Sequence, residues 1–171
     1  MSVYNPWNRW KTATLSLIVA AAAVYAAERL DAQSAKKSPK IVKIQNDKSR
    51  KCITVEKPGK GEYVLQFDCN KPGVANRWTI VDSTEAPYFN LKVRSQNRDW
   101  CIGVSGGDPR PDTELQLFQC DGKANQRWKI DGARIKNYDQ LCIGVDQAST
   151  DEPAVLKQFK CDDNPNQRWR F

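Results

Sequence analysis

Phe67, Phe118 and Phe159 each stand two places before a cysteine. Seven residues beyond the second and third of these rings come Asn125-Gln126 and Asn166-Gln167, and Ala75-Asn76 takes the matching place in the first. An aromatic face can stack on the C–H face of a neutral polyol, and an amide can donate and accept hydrogen bonds to adjacent hydroxyls at once. The same rings could equally pack beneath a loop, and an amide beside a buried tryptophan often satisfies backbone groups. On this reading Gln126 and Gln167 serve mainly the fold, while Asn125 and Asn166 are the ligand contacts. Catalytic chemistry has less to work with. The chain has no His, which removes the commonest acid–base catalyst and metal ligand. Asp108, Asp112, Asp121, Asp146, Asp151, Glu152, Asp162 and Asp163 are scattered through turns, and no two form an evident pair for glycoside hydrolysis. The expectation is a binding protein, not an enzyme, with no cofactor and no metal.

These residues recur because the chain repeats itself. Cys52-Ile53-Thr54-Val55, Cys101-Ile102-Gly103-Val104 and Cys142-Ile143-Gly144-Val145 open three copies. Asn76-Arg77-Trp78, Gln126-Arg127-Trp128 and Gln167-Arg168-Trp169 close them. The copies span about 41–90, 91–132 and 133–171. Each must bury its apolar face against the others. The repeat also selects one disulfide pairing from the 15 that six cysteines allow: Cys52 with Cys69, Cys101 with Cys120, and Cys142 with Cys161. Closing a loop of this length stabilises by about 3 kcal/mol in the chain-entropy picture.

Short runs such as 41–44, 91–93 and 133–135 precede each first cysteine by about eight residues, and Gly/Pro/Asn/Asp clusters separate the runs. Roughly four strands per copy make an all-β domain, closed so that no sheet edge is left open. Trp78, Trp128 and Trp169 are expected in its core. Ile80, Ile130 and Phe171, two places later, should share their inward face.

The N-terminal residues read differently. Arg9 and Lys11 precede an uncharged, Ala-rich stretch from Ala13 to Ala27. Its length suits the core of an export signal, cleaved or retained as an anchor, better than the roughly 20 residues of a membrane span. Residues 1–27 are therefore expected to be a signal peptide or signal anchor, residues 28–40 a polar linker, and 41–171 the domain. Export accounts for an even set of cysteines, and the Ala-rich core has a bacterial look. Of the net charge of +7, residues 1–40 supply +4, leaving +3 for the domain. So thin a charge argues against a nucleic-acid partner.

Together the motifs resemble the ricin B-type lectin family, a β-trefoil with one Q-x-W motif in each of three lobes. The resemblance covers everything after the linker. It implies sugar sites in the lobes, each anchored by an Asp two residues after the first cysteine and helped by a Gln four residues before the second. Here Thr54, Gly103 and Gly144 replace that Asp, and only Gln116 matches the Gln, with Leu65 and Lys157 elsewhere. Lobe two keeps Gln116, Phe118, Asn125 and Gln126. Lobe three keeps Phe159, Asn166 and Gln167, with Asp146 displaced by two positions, and lobe one keeps little beyond Phe67. The implied function is a secreted, periplasmic or cell-surface carbohydrate-binding protein with glycans or glycoproteins as partners. The alternative is a trefoil reused to bind protein within a multi-subunit assembly, similar in architecture to the receptor-binding subunits of cytolethal-distending-type toxins. Membrane contact is expected only through an uncleaved N-terminal segment.

Overall fold

The computed structural model describes residues 39–171. Residues 1–27, expected to be a signal peptide or anchor, and nearly all of the expected linker lie outside the described residues. Thirteen strands follow, and every pairing among them is antiparallel. Lobe one contains β1 (Lys40–Val42), β2 (Gln45–Asn46), β3 (Cys52–Thr54), β4 (Leu65–Phe67) and β5 (Trp78–Asp82). Lobe two contains β6 (Phe89–Ser95), β7 (Arg98–Val104), β8 (Thr113–Gln119) and β9 (Trp128–Asp131). Lobe three contains β10 (Arg134–Asn137), β11 (Cys142–Val145), β12 (Ala154–Phe159) and β13 (Trp169–Arg170). The expected four strands per copy are present, because β1 and β2 are one strand interrupted at Lys43-Ile44.

The outer strands of the lobes alternate around a ring. β1 pairs with β5, β5 with β6, β6 with β9, β9 with β10, and β13 with β2. The Trp169 N–H donates to the Ala133 carbonyl at 2.7 Å and closes the circle. The middle strands form three hairpins, β3–β4, β7–β8 and β11–β12. The hairpins meet through β12, which pairs with both β4 and β8. Closure leaves the ring without a free edge.

The core is threefold in composition. Trp78, Trp128 and Trp169 are buried among Ile53, Ile102 and Ile143 and the valines two residues beyond these. Each indole N–H donates to an isoleucine carbonyl of its own lobe: Trp78 to Ile53 at 2.9 Å, Trp128 to Ile102 at 2.9 Å, Trp169 to Ile143 at 3.0 Å. A buried indole donor needs such a partner. The three expected disulfides are formed, with sulfur–sulfur distances of 2.02, 2.05 and 2.01 Å.

One expectation about the core fails. Ile130 is 49% exposed and Phe171 41% exposed, although Ile80 does pack against the core. The pleat still puts Ile130 on the face of its partner Ile135. Ile135 is itself fully buried, whereas Ile130, two residues before the Gly132 turn, is left uncovered, and Phe171 lies beyond the last strand.

Four buried amides that the motif reading passed over hold the lobes together. Gln158 donates to the carbonyls of Asp108 (2.7 Å) and Arg110 (2.5 Å) in lobe two and accepts from Asn137 at 2.6 Å. Gln66 of lobe one donates to the carbonyls of Ser149 (3.0 Å) and Asp151 (2.8 Å) in lobe three. Asn46 of lobe one donates to the Asn166 carbonyl at 2.9 Å. Gln66 and Gln158 both sit immediately before the Phe of the Phe-x-Cys motif, and that repeated placement among apolar neighbours was the available signal. Lobe two has Leu117 there.

Candidate functional site

The hairpin register decides what the Phe-x-Cys ring can reach. Cys101 lies opposite Phe118, and Gly103 opposite Gln116. Gly103 is therefore the diagonal neighbour of Phe118 on the same face. Lobe three repeats this, with Cys142 opposite Phe159 and Gly144 opposite Lys157. Both rings lean onto their glycine. A Cβ built on Gly103 would stand 2.9 Å from Phe118 Cδ2 and 3.1 Å from Gln126 Cγ. One built on Gly144 would stand 2.9 Å from Phe159 Cδ2 and 3.1 Å from Gln167 Cγ. The backbone is extended at both glycines, so contact with the ring, and not a dihedral angle, demands glycine here. The space an anchoring carboxylate would enter is filled by the aromatic side chain.

In lobe two the half-buried Phe118 ring forms one wall of a recess of about 290 Å³, with Gly106, Gly107, Asp121, Lys123, Asn125 and Gln126 as the rest of the lining. Asn125 Nδ2 donates to the Val104 carbonyl at 3.2 Å, while its side-chain oxygen takes no hydrogen bond among the described residues. Gln126 is buried with both amide ends engaged: Nε2 donates to the Gln119 carbonyl at 3.0 Å, and Oε1 accepts from the Asp121 N–H at 3.2 Å. Gln116, opposite Gly103, does not line the recess. Asp121 and Lys123 form an ion pair at 3.0 Å on the rim. Burial alone would raise the Asp121 carboxyl, but the Lys123 backbone N–H and ammonium outweigh it and hold the group below its ordinary range. This rim pair, a carboxylate beside an ammonium, was not singled out from sequence, where Asp121 read as a solvated turn residue.

Lobe three has the same frame with different occupants. Gln167 again binds its own loop, donating to the Lys160 carbonyl at 3.1 Å and accepting from the Asp162 N–H at 3.1 Å. Asn166 is buried and donates to the Val145 carbonyl at 3.2 Å. Asp146 is paired with Lys157 at 3.3 Å, and Lys157 also reaches Asp112 of lobe two at 3.2 Å. Desolvation would lower the Lys157 ammonium, yet the two carboxylates raise it above its ordinary value. In lobe one Phe67 is fully buried, Lys71 stands 4.2 Å above its ring, and the buried Thr54 hydroxyl donates to the Cys52 carbonyl at 2.9 Å. Among the described residues no three His, Cys, Asp or Glu side chains converge to hold a metal ion.

Three lobes of four strands, closed by one tryptophan and one disulfide each, define a β-trefoil domain. The chain belongs to the ricin-type β-trefoil lectin domain family, whose model matches residues 40–169. A search of curated proteins returns no matching relative. Among solved structures the chain is similar to ThreeFoil, a designed threefold symmetric protein, with 22% identity, a TM-score of 0.66, and 76% of this chain and 96% of that one covered. It is similar to the C-terminal half of the earthworm R-type lectin in complex with GalNAc, at 20% identity and a TM-score of 0.57, covering 77% and 97%. It also resembles a chain of the Haemophilus ducreyi cytolethal distending toxin, at 16% identity and a TM-score of 0.61, covering 75% and 80%. At these identities the likeness is one of fold.

Proposed function

We propose that this protein is an exported carbohydrate-binding module, of bacterial type, whose working site is the lobe-two recess. The observation that carries the reading is the combination of the half-exposed Phe118 ring with an Asn125 carbonyl left free beside it, in one recess. Lobe three offers a buried Asn166 and a carboxylate already held by Lys157, and lobe one a buried ring under a lysine. A sugar in the recess stacks on Phe118, donates a hydroxyl to Asn125, and meets Asp121 and Lys123 at the rim. The missing carboxylate at position 103 makes binding weak. A hydrogen bond to a charged acceptor contributes about 1.5–3 kcal/mol, or roughly one to two decades in affinity.

A second reading is favoured by the same glycines. With Gly103 and Gly144 closed by aromatic rings, the trefoil also suits a role as a protein-binding subunit in an assembly, in keeping with its likeness to a toxin chain. Export to a secreted, periplasmic or surface location rests on the N-terminal apolar stretch and the three disulfides. A glycan array followed by titration separates the two roles. Saturable binding lost in Phe118→Ala and Asn125→Ala supports the lectin. No glycan binding, together with a stoichiometric protein partner, supports the module.

A further inference from the structure

A second chemically distinctive surface lies where lobe two meets lobe three, built from residues that do not line the recess. Phe89 and Asn137 both pair with Trp128, one from each side. The residues next to them, Tyr88 and Tyr138, therefore converge over the outer face of β9. Their ring centroids are 5.5 Å apart, tilted by 39°. The Arg127 guanidinium stands 5.8 Å from the Tyr138 centroid, and the Lys129 ammonium 5.7 Å from that of Tyr88. Both cations are within reach of cation–π attraction.

Tyr138 is 41% exposed, and its hydroxyl makes no hydrogen bond among the described residues. Arg127 is paired with Glu85. Lys129 is not so balanced. It lies directly opposite Lys136 in the β9–β10 register, and like charges so placed repel. Lys136 is paired with Asp131 at 2.5 Å, whereas Lys129 has no carboxylate within 4 Å among the described residues. Exposed Tyr138 and half-buried Tyr88, beside an ammonium with no ion-pair partner among the described residues, suit a ligand with both a C–H ring face and a negative substituent. A neutral sugar would engage Lys129 only as a hydrogen-bond donor and leave its charge uncompensated, and a simple anion would leave Tyr138 idle.

We infer that Tyr88, Tyr138 and Lys129 form a second saccharide site, selective for acidic sugars such as uronates. It shares no lining residue with the lobe-two recess and does not depend on it. The test is calorimetric titration of the full domain with an oligogalacturonate, a neutral galactose oligomer and polyglutamate of equal charge. The oligogalacturonate should bind saturably, while the neutral oligomer and polyglutamate bind at least tenfold more weakly. Lys129→Glu and Tyr138→Ala should each weaken oligogalacturonate binding at least tenfold, and Phe118→Ala should leave it unchanged. Urea midpoints confirm that the variants are folded. Should Tyr138→Ala unfold the domain, the half-exposed Lys129→Glu and the polyglutamate comparison carry the test. The inference is overturned if no oligogalacturonate binding occurs, if polyglutamate or the neutral oligomer binds as well, if either patch variant binds normally, or if Phe118→Ala abolishes the binding.

Discussion

Restoring the missing carboxylate in lobe two should not restore a sugar site; it should damage the fold. In Gly103→Asp the new Cβ meets Phe118 Cδ2 at 2.9 Å, Gln126 Cγ at 3.1 Å and the Asn125 carbonyl oxygen at 3.2 Å. The first contact is closer than side chains tolerate, and Gln126 is tethered at both amide ends, so the ring must move. Over-packing of this kind costs about 1–3 kcal/mol, and the buried setting of Gly103 adds desolvation of the carboxylate. For a domain of this size each kcal/mol lowers the melting temperature by about 3–5 °C. Thermal melting of Gly103→Asp should therefore fall by roughly 3–15 °C. Gly103→Ala isolates the steric part. A double-mutant cycle with Phe118→Ala supplies the decisive number, because removing the ring makes room. The double variant should be less destabilised than the sum of the single changes by about 0.5–3 kcal/mol. If Gly103→Ala melts with the wild type, and Phe118→Ala rescues nothing, the ring does not fill the carboxylate's place and the argument is refuted.

Trp128→Ala removes a fully buried indole and should cost about 3–5 kcal/mol in urea unfolding; an unmoved midpoint would contradict its place in the core. Gln158→Leu leaves the Asp108 and Arg110 carbonyls and the Asn137 amide without their partner, and a destabilisation of about 1–3 kcal/mol is expected by the same measurement. Asp108 is held at about 2, against an ordinary 3.8, first by the side-chain hydrogen bond from Arg110. Its stabilising contribution is thus present above pH 3.8 and lost as pH falls toward 2. The stability gap between wild type and Asp108→Asn, followed by urea unfolding, should close over that range, and a gap independent of pH would show the ion pair to be inert.

The scaffold was legible because its chemistry recurs. Cys, Ile and Trp at fixed offsets named the disulfides and the tryptophan layer, since three copies of a closed fold impose the same packing three times. Ile130 and Phe171 misled because alternation reports which face of a strand a side chain takes and not whether anything covers it, and Phe171 lies beyond the last strand. The site was only half legible. Sequence identified Gly103 and Gly144 as lacking the anchor, but the ring contact that makes a larger residue unwelcome depends on the diagonal across a hairpin. The capture of Asp146 by Lys157, with Asp112 from the neighbouring lobe, likewise joins residues from distant stretches of chain. Gln66 and Gln158 were passed over because their partners are backbone carbonyls, which no motif records.

The indole bonds have a consequence for how such a molecule came to be. Trp78 reaches a carbonyl 25 residues back along the chain, and Trp128 and Trp169 each reach one 26 residues back. Each of these bonds, like each disulfide, begins and ends in the same lobe. A segment that ties its own ends together in this way carries its closure with it when duplicated, and no partner needs to be redesigned at the moment of copying. The backbone pairings that join neighbouring lobes recur as well, but the amide side chains that reach across differ from copy to copy, with Gln66 and Gln158 in two lobes and Leu117 in the third. Inheritance by tandem duplication would leave that division: a common backbone frame and closure in each unit, and individual side-chain bridges at the seams.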